Sequence, residues 1–205
     1  KKLQGSIFFD ILQQQGLLST PYHRIYFADK PNYYVGQSQY IPVYESPENV
    51  GVYRLADDIE RLPNTRFKLP IGARLNYYIN EHFKLRTYYR YYTDDWGLKS
   101  NTFSLETPVK ISPFISVSPF YRYYSQTATK YFAPYQQHTA FDDFYTSNYD
   151  LSKFDSHFYG AGIRISPKNG LFGVERLNML EIRYGHYTKS VGMKSDIISL
   201  NVRFR

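Results

Sequence analysis

The chain has 205 residues and a net charge of +7, from 25 Lys and Arg against 18 Asp and Glu. It has no cysteine, which excludes disulfides, thiolate metal sites and a cysteine nucleophile, and no run approaches the ~20 apolar residues of a spanning helix. Its 23 Tyr and 15 Phe favour strands and match the aromatic girdles of membrane barrels, while the basic residues are spread out with no reader motif for nucleic acid.

The first residues, KKLQGSIFFD, already read as a strand, with no signal peptide before them. The expectation is a chain that starts inside a longer protein. Residues 2–12 place Leu3, Ile7, Phe9 and Ile11 on one face, and Lys2, Gln4, Ser6 and Asp10 on the other. A long connection, 13–65, follows. Its part 29–53, with Pro31, Pro42, Pro47, Tyr33, Tyr34, Tyr40 and Tyr44, is too long for a plain connector. In FKLPIGARLNYYIN, 67–80, Phe67, Leu69, Ile71, Ala73, Leu75, Tyr77 and Ile79 alternate with Lys68, Pro70, Gly72, Arg74, Asn76 and Tyr78. Strands with the same alternation are predicted over 83–95, 102–111, 115–126, 158–166, 178–188 and 194–204, where Ile197 interrupts the polar face. Pro70, Pro108 and Pro119 each remove a ladder donor, so bulges are expected there.

The connections differ in length. Asn80 to His82 and Ser112 to Phe114 are tight turns, whereas 13–65 and 127–157 are long. Assigning the tight turns to one rim puts both long loops on the other, the asymmetry of an outer-membrane barrel. The fold class predicted is all-β: an antiparallel transmembrane β-barrel with about eight strands in this chain, part of a larger barrel, in the bacterial outer membrane. Strand lengths also match what a tilted strand needs to cross hydrocarbon, and only closure leaves no unpaired edge in lipid. A soluble sandwich or lipocalin-like barrel would turn the same apolar face inward.

Several strings carry a resemblance: FFDILQQQGLLSTPYHRIYF, ERLPNTRFKLPIGARLNYYIN, LRTYYRYYTDDWGLKSNTFSLETPVKISPF, PFYRYYSQTATKYFAPY, FYTSNYDLSKFDSHFYGAGIRISP and EIRYGHYTKSVGMKSDIISLNVRF. The chain resembles the outer-membrane barrel family catalogued as domain of unknown function 3570. The resemblance implies an outer-membrane barrel of Bacteroidota-type bacteria, about twice this length, of which residues 1–205 are one barrel domain or its C-terminal half. It also implies a link to envelope redox traffic, and it supplies no catalytic residues.

On the polar phase stand Lys68, Arg74, Lys84, Arg86, Arg90, Lys110, Arg122, Arg164, Arg183 and Arg203, with the acidic partners Asp10, Asp94, Glu106 and Glu181. This series reads either as an anion-favouring lumen or as a charge-paired, filled interior. The clusters YYRYY (88–92) and YRYY (121–124) read as an interfacial belt or as a stacking platform. In the loop 141–155, Asp142, Asp143 and Asp150, with Asn148 and Asp155, are weak calcium candidates without the EF-hand spacing. His186 and Asp196 share the apolar phase, but no serine completes a lipid-hydrolase triad. The expected function is a porin-like pore or conduit with a basic lumen. The alternative is a non-conducting scaffold whose long loops dock other envelope proteins. The expected partners are the lipid bilayer and lipopolysaccharide, with no nucleic acid, no cofactor and no enzyme activity.

Overall fold

The computed structural model describes residues 2–40, 51–171 and 173–204. Pro42, Tyr44 and Pro47 of the long first connection lie outside them. In chain order the strands are β1 (Leu3–Phe9), β2 (Leu12–Gln15), β3 (Ile25–Tyr26), β4 (Tyr33–Val35), β5 (Tyr53–Ala56), β6 (Thr65–Tyr78), β7 (Lys84–Asp94), β8 (Lys99–Glu106), β9 (Val109–Lys110), β10 (Ile115–Gln126), β11 (Phe154–Ile165), β12 (Leu177–Lys189) and β13 (Lys194–Phe204). The main sheet is antiparallel throughout, in the order β1-β6-β7-β8-β10-β11-β12-β13, with β2 continuing β1 along β6 and β9 continuing β8 along β10. Each long alternating segment thus occupies one place in this sheet, two of them as interrupted pairs, β1 with β2 and β8 with β9. Among the described residues β1 and β13 are not paired to each other, so the sheet is not closed.

The tight turns are set by side chains. Asn80 Oδ1 accepts from the N–H groups of His82 (2.9 Å) and Phe83 (2.8 Å), and Ser112 Oγ accepts from Phe114 (3.2 Å) and Ile115 (3.1 Å). Both are short polar side chains standing in for a turn's backbone bond. At the opposite rim, β7 turns into β8 through Gly97 at φ 85°, and β12 into β13 through Gly192 at φ 91°. These positive dihedrals suit glycine.

The prolines do not make the predicted bulges. Opposite Pro70 the first strand is interrupted between β1 and β2, yet Phe9 faces Ile71 before the gap and Leu12 faces Lys68 after it, in one register. Pro108 and Pro119 meet where β8 gives way to β9, again without a shift, since Glu106 faces Phe120 and Val109 faces Val117. A missing N–H removes a rung but does not demand an extra residue. The recorded shift in the main sheet lies instead between Leu177 and Met179.

Two strands begin earlier than the alternation suggests. β11 starts at Phe154 rather than at 158, with Asp155 and His157 on the otherwise apolar face. There the Tyr123 hydroxyl donates to Asp155 (3.0 Å), and the Tyr121 hydroxyl lies 2.8 Å from His157 Nδ1. Their polarity hides the strand from a hydropathy reading. β8 likewise starts at Lys99, because Ser100 turns to the inner side and is buried.

The apolar core lies outside the sheet. Ile25, Phe27, Val35 and Tyr145 form a buried cluster with Ala140 packed on it, contributed by the two long loops. These loops fold on each other at the long-loop rim. Phe27 bridges to His138, and Arg61 exchanges backbone bonds with Tyr145 (3.0 and 2.7 Å). β3, β4 and β5 form a small sheet in this cap.

Candidate functional site

Strict pairing puts the predicted basic series on one face of the sheet, in layers of different character. Nearest the tight-turn rim the charges are paired. Arg86 Nη1 donates to Glu106 Oε1 (3.1 Å), and Arg183 donates to both Glu106 Oε2 (2.8 Å) and Glu181 Oε1 (3.2 Å). Arg164 closes the run on Glu181 Oε2 (2.7 Å). Arg183 stands on β12 and reaches Glu106 on β8 because its path is clear. A Cβ on Gly162 would come within 2.8 Å of Arg183 Cγ, and the guanidinium lies 4.9 Å above the Phe120 ring. Lys110, Arg164 and Arg203 line a groove of about 440 Å³ at this rim. Lys84 lies 5.2 Å over the Tyr78 ring.

At the long-loop rim the acids are again satisfied. Asp94 accepts from Arg66 Nε (2.9 Å) and Nη2, from the Tyr92 hydroxyl (2.9 Å) and from the Leu98 N–H (3.0 Å). Lys189 donates to Asp150 (2.7 Å), and Lys68 to Gln14 (2.6 Å). Arg66 and Lys189 were not in the predicted series. They sit at strand ends, where the alternating signal fades. Asp10 faces Pro70 through its own N–H (3.0 Å), and its carboxylate has no cation within 4.0 Å among the described residues.

The middle layer differs. Arg74, Arg90 and Arg122 have no carboxylate partner among the described residues. Arg74 lies over Phe8 (5.1 Å) and Tyr88 (5.6 Å), whose rings stack at 5.9 Å. Arg122 lies 5.2 Å over Phe158. Arg90 Nε is buried with no hydrogen-bond partner. Cation–ring contacts of this kind are worth about 0.5–2 kcal/mol and leave the guanidinium donors free. The series is therefore paired with acids at both ends and without them in the middle.

The other face is apolar and open. Ile71 is 43% exposed, Ile163 51% and Ile182 49%, within a continuous field of large apolar side chains. Toward the long-loop rim it carries Tyr and His with polar partners. Tyr89 donates to Asn101 (2.8 Å), and both Tyr184 (2.7 Å) and His186 Nδ1–H (2.8 Å) donate to Asp196. His186 and Asp196 do meet, but their further neighbour is the Tyr159 ring at 5.6 Å, and no serine hydroxyl joins them.

In the cap, Glu60 is 1% exposed and ties the loops together. It accepts from the Thr20 N–H (2.8 Å) and hydroxyl (2.9 Å), and from the Thr146 hydroxyl. His138 Nε2–H donates to the Thr146 carbonyl (2.9 Å). Two of the weak calcium candidates have other partners: Asp142 is held by the Thr139 N–H (3.0 Å) and hydroxyl (2.8 Å), and Asp150 by Lys189. Among the described residues no three His, Asp or Glu side chains gather as a metal site needs. The Thr139 N–H lowers the Asp142 carboxyl below its ordinary range, with the Thr139 hydroxyl and His138 adding to it against burial. Burial raises the Tyr145 phenol, opposed by the nearby Arg61.

No curated protein matches the chain. A solved structure described as "Bacterial polysaccharide outer membrane secretin" is similar at 14% identity with a TM-score of 0.41, over 66% of this chain and 42% of that one. Residues 8–195 match the family described as "Protein of unknown function (DUF3570)", and the chain belongs to that family.

Proposed function

We propose that this chain is part of an outer-membrane β-barrel that acts as a conduit for small anions. The observation that carries the reading is the polarity of the sheet: a continuous exposed apolar face backs a polar face whose middle layer is cationic without acids. Exposed apolar patches on soluble monomers rarely exceed a few hundred Å², whereas lipid accepts such a face at no cost. The 14 residues of β6 extend about 45 Å at ~3.3 Å each. Tilted by about 45° they span about 32 Å, close to the ~30 Å of hydrocarbon. The Tyr and His residues near the long-loop rim then lie at headgroup level, where bilayer lipid and lipopolysaccharide would meet them.

This reading makes one demand on the rest of the molecule. An open edge in hydrocarbon costs several kcal/mol per unpaired group, so β1 and β13 must each pair with further strands, and the lumen is wider than these strands alone would enclose. The test is single-channel recording from the full-length protein in a planar bilayer with a salt gradient. A reversal potential displaced toward the anion's equilibrium value is expected, and silent bilayers or cation selectivity overturn the proposal. A second reading is favoured by the cap, whose buried core makes the long loops a folded surface rather than loose connectors. In that reading the barrel is a scaffold that docks envelope proteins, including redox partners. Recovery of the barrel always alone from mild detergent would refute it.

A further inference from the structure

Two cross-strand rows cross the polar face from the middle of β7 toward the long-loop rim. One runs Arg90, Thr102, Tyr124, Ser156, Lys189, and the next runs Tyr88, Ser104, Arg122, Phe158, Tyr187. Arg90 and Arg122 therefore stand on β7 and β10 with only β8 between them. At ~4.8 Å per strand across and ~3.3 Å per residue along, their backbones are about 12 Å apart, so two long side chains can converge above Thr102 and Ser104. A groove of about 490 Å³ opens at this place.

The groove's unused bonding capacity is specific. Asp150, the acid lining it, is already held by Lys189 at 2.7 Å. Arg90 and Arg122 make no hydrogen bond or ion pair with any described residue, and Arg90 Nε is shut off from solvent. Thr102, Ser104 and Ser156 likewise spend no side-chain hydrogen bond inside the described chain. The layer below shows what this chain does with guanidiniums that serve architecture: Arg86, Arg164 and Arg183 are each on a glutamate. Arg90 is partly buried with a shielded Nε, Arg122 stands exposed beside it, and neither has a counter-charge, so the middle layer is built for a charge that comes from outside.

Resting on the conduit reading of this face, we infer that the groove is a binding site for an organic oxyanion, a carboxylate or phosphate on a small hydroxylated ring. The guanidinium forks take paired anionic oxygens. The free hydroxyls meet those of the ligand, and the rings of Tyr88, Tyr124 and Tyr187, which line the groove, pack on its C–H face.

The test is titration calorimetry on the full-length protein in detergent, with glucuronate, glucose 6-phosphate, inorganic phosphate and glucose as probes. At least one charged sugar binds tenfold or more tighter than glucose, and which one distinguishes carboxylate from phosphate. The charged sugar also exceeds inorganic phosphate, because the rings contribute. The double variant Arg90→Gln/Arg122→Gln loses tenfold or more. Arg90→Lys/Arg122→Lys keeps the charge for folding and still weakens binding, while Arg203→Gln at the tight-turn rim leaves it unchanged. Equal affinity for glucose and both charged sugars, or undiminished binding by both double variants, overturns the site. Single-channel recording on the same preparation separates the two proposals. Anion-selective current without charged-sugar preference overturns the site alone, and charged-sugar binding in a silent barrel overturns the conduit alone.

Discussion

Glu60 is a carboxylate with hydroxyl and amide partners rather than a cation, buried where two distant loop segments meet. It joins Thr20 to Thr146, residues 126 positions apart in a 205-residue chain. Removing the acceptor orphans these donors, at about 1–3 kcal/mol for each buried group left unsatisfied. Glu60→Ala is therefore expected to open the cap and leave the strands intact. Limited proteolysis would show faster cleavage within 13–65 with unchanged heat-modifiable migration of the barrel. Unchanged cleavage would show that the clamp is not what holds the loops together. Nothing in the sequence around Glu60 marked it, because its partners come from other parts of the chain. The polar alternation, by contrast, marked Arg90 and Arg122 from their own neighbours.

At the scale of the strand, β11 and β12 show how the inner face makes room for its charges. Gly160 faces Gly185 across the pair, and a Cβ on Gly185 would overlap the Phe158 ring. The bare backbone lets aromatic and guanidinium groups lie flat along the sheet instead of standing upright. Gly185→Val is expected to cost about 1–3 kcal/mol by overpacking. Gly5→Ala, whose Cβ would sit 3.6 Å from Leu75, should be close to neutral. Urea midpoints of the refolded variants in detergent compare the two, and an equal shift would refute the packing account. The strands themselves were legible because the alternation survives over most of each. The start of β11 was not legible: Asp155 and His157 take outer positions that only tyrosines on the neighbouring β10 make tolerable.

For the whole molecule the decisive question is which solvent meets the apolar face. Ile71 lies midway along β6 on that face, and Ser104 lies midway along β8 on the other. In the membrane reading Ile71→Arg costs about 2–4 kcal/mol at the bilayer midplane, while Ser104→Glu, which faces Arg122 across the strands, changes stability little. Guanidinium titration of folding into lipid vesicles measures both. A small effect at Ile71 with a large one at Ser104 would place the apolar face in a protein interior instead. The small sheet of β3, β4 and β5 and the cap core were invisible at this scale too. Short strands of two to four residues carry too few alternations to read.

What the amino-acid order determined by itself is the number of long strands, their phase and the side of each charge. Those follow from a period of two that every residue obeys locally. Tertiary structure decided which charges cancel. Whether an arginine meets a glutamate depends on register and on the empty space left by glycines several strands away, as Arg183 shows by reaching Glu106 past Gly162. The same long-range pairing left Arg74, Arg90 and Arg122 without acids. It also built the buried cluster of Ile25, Phe27, Val35 and Tyr145 from two long loops, because a sheet with one face charged and the other exposed offers little interior of its own.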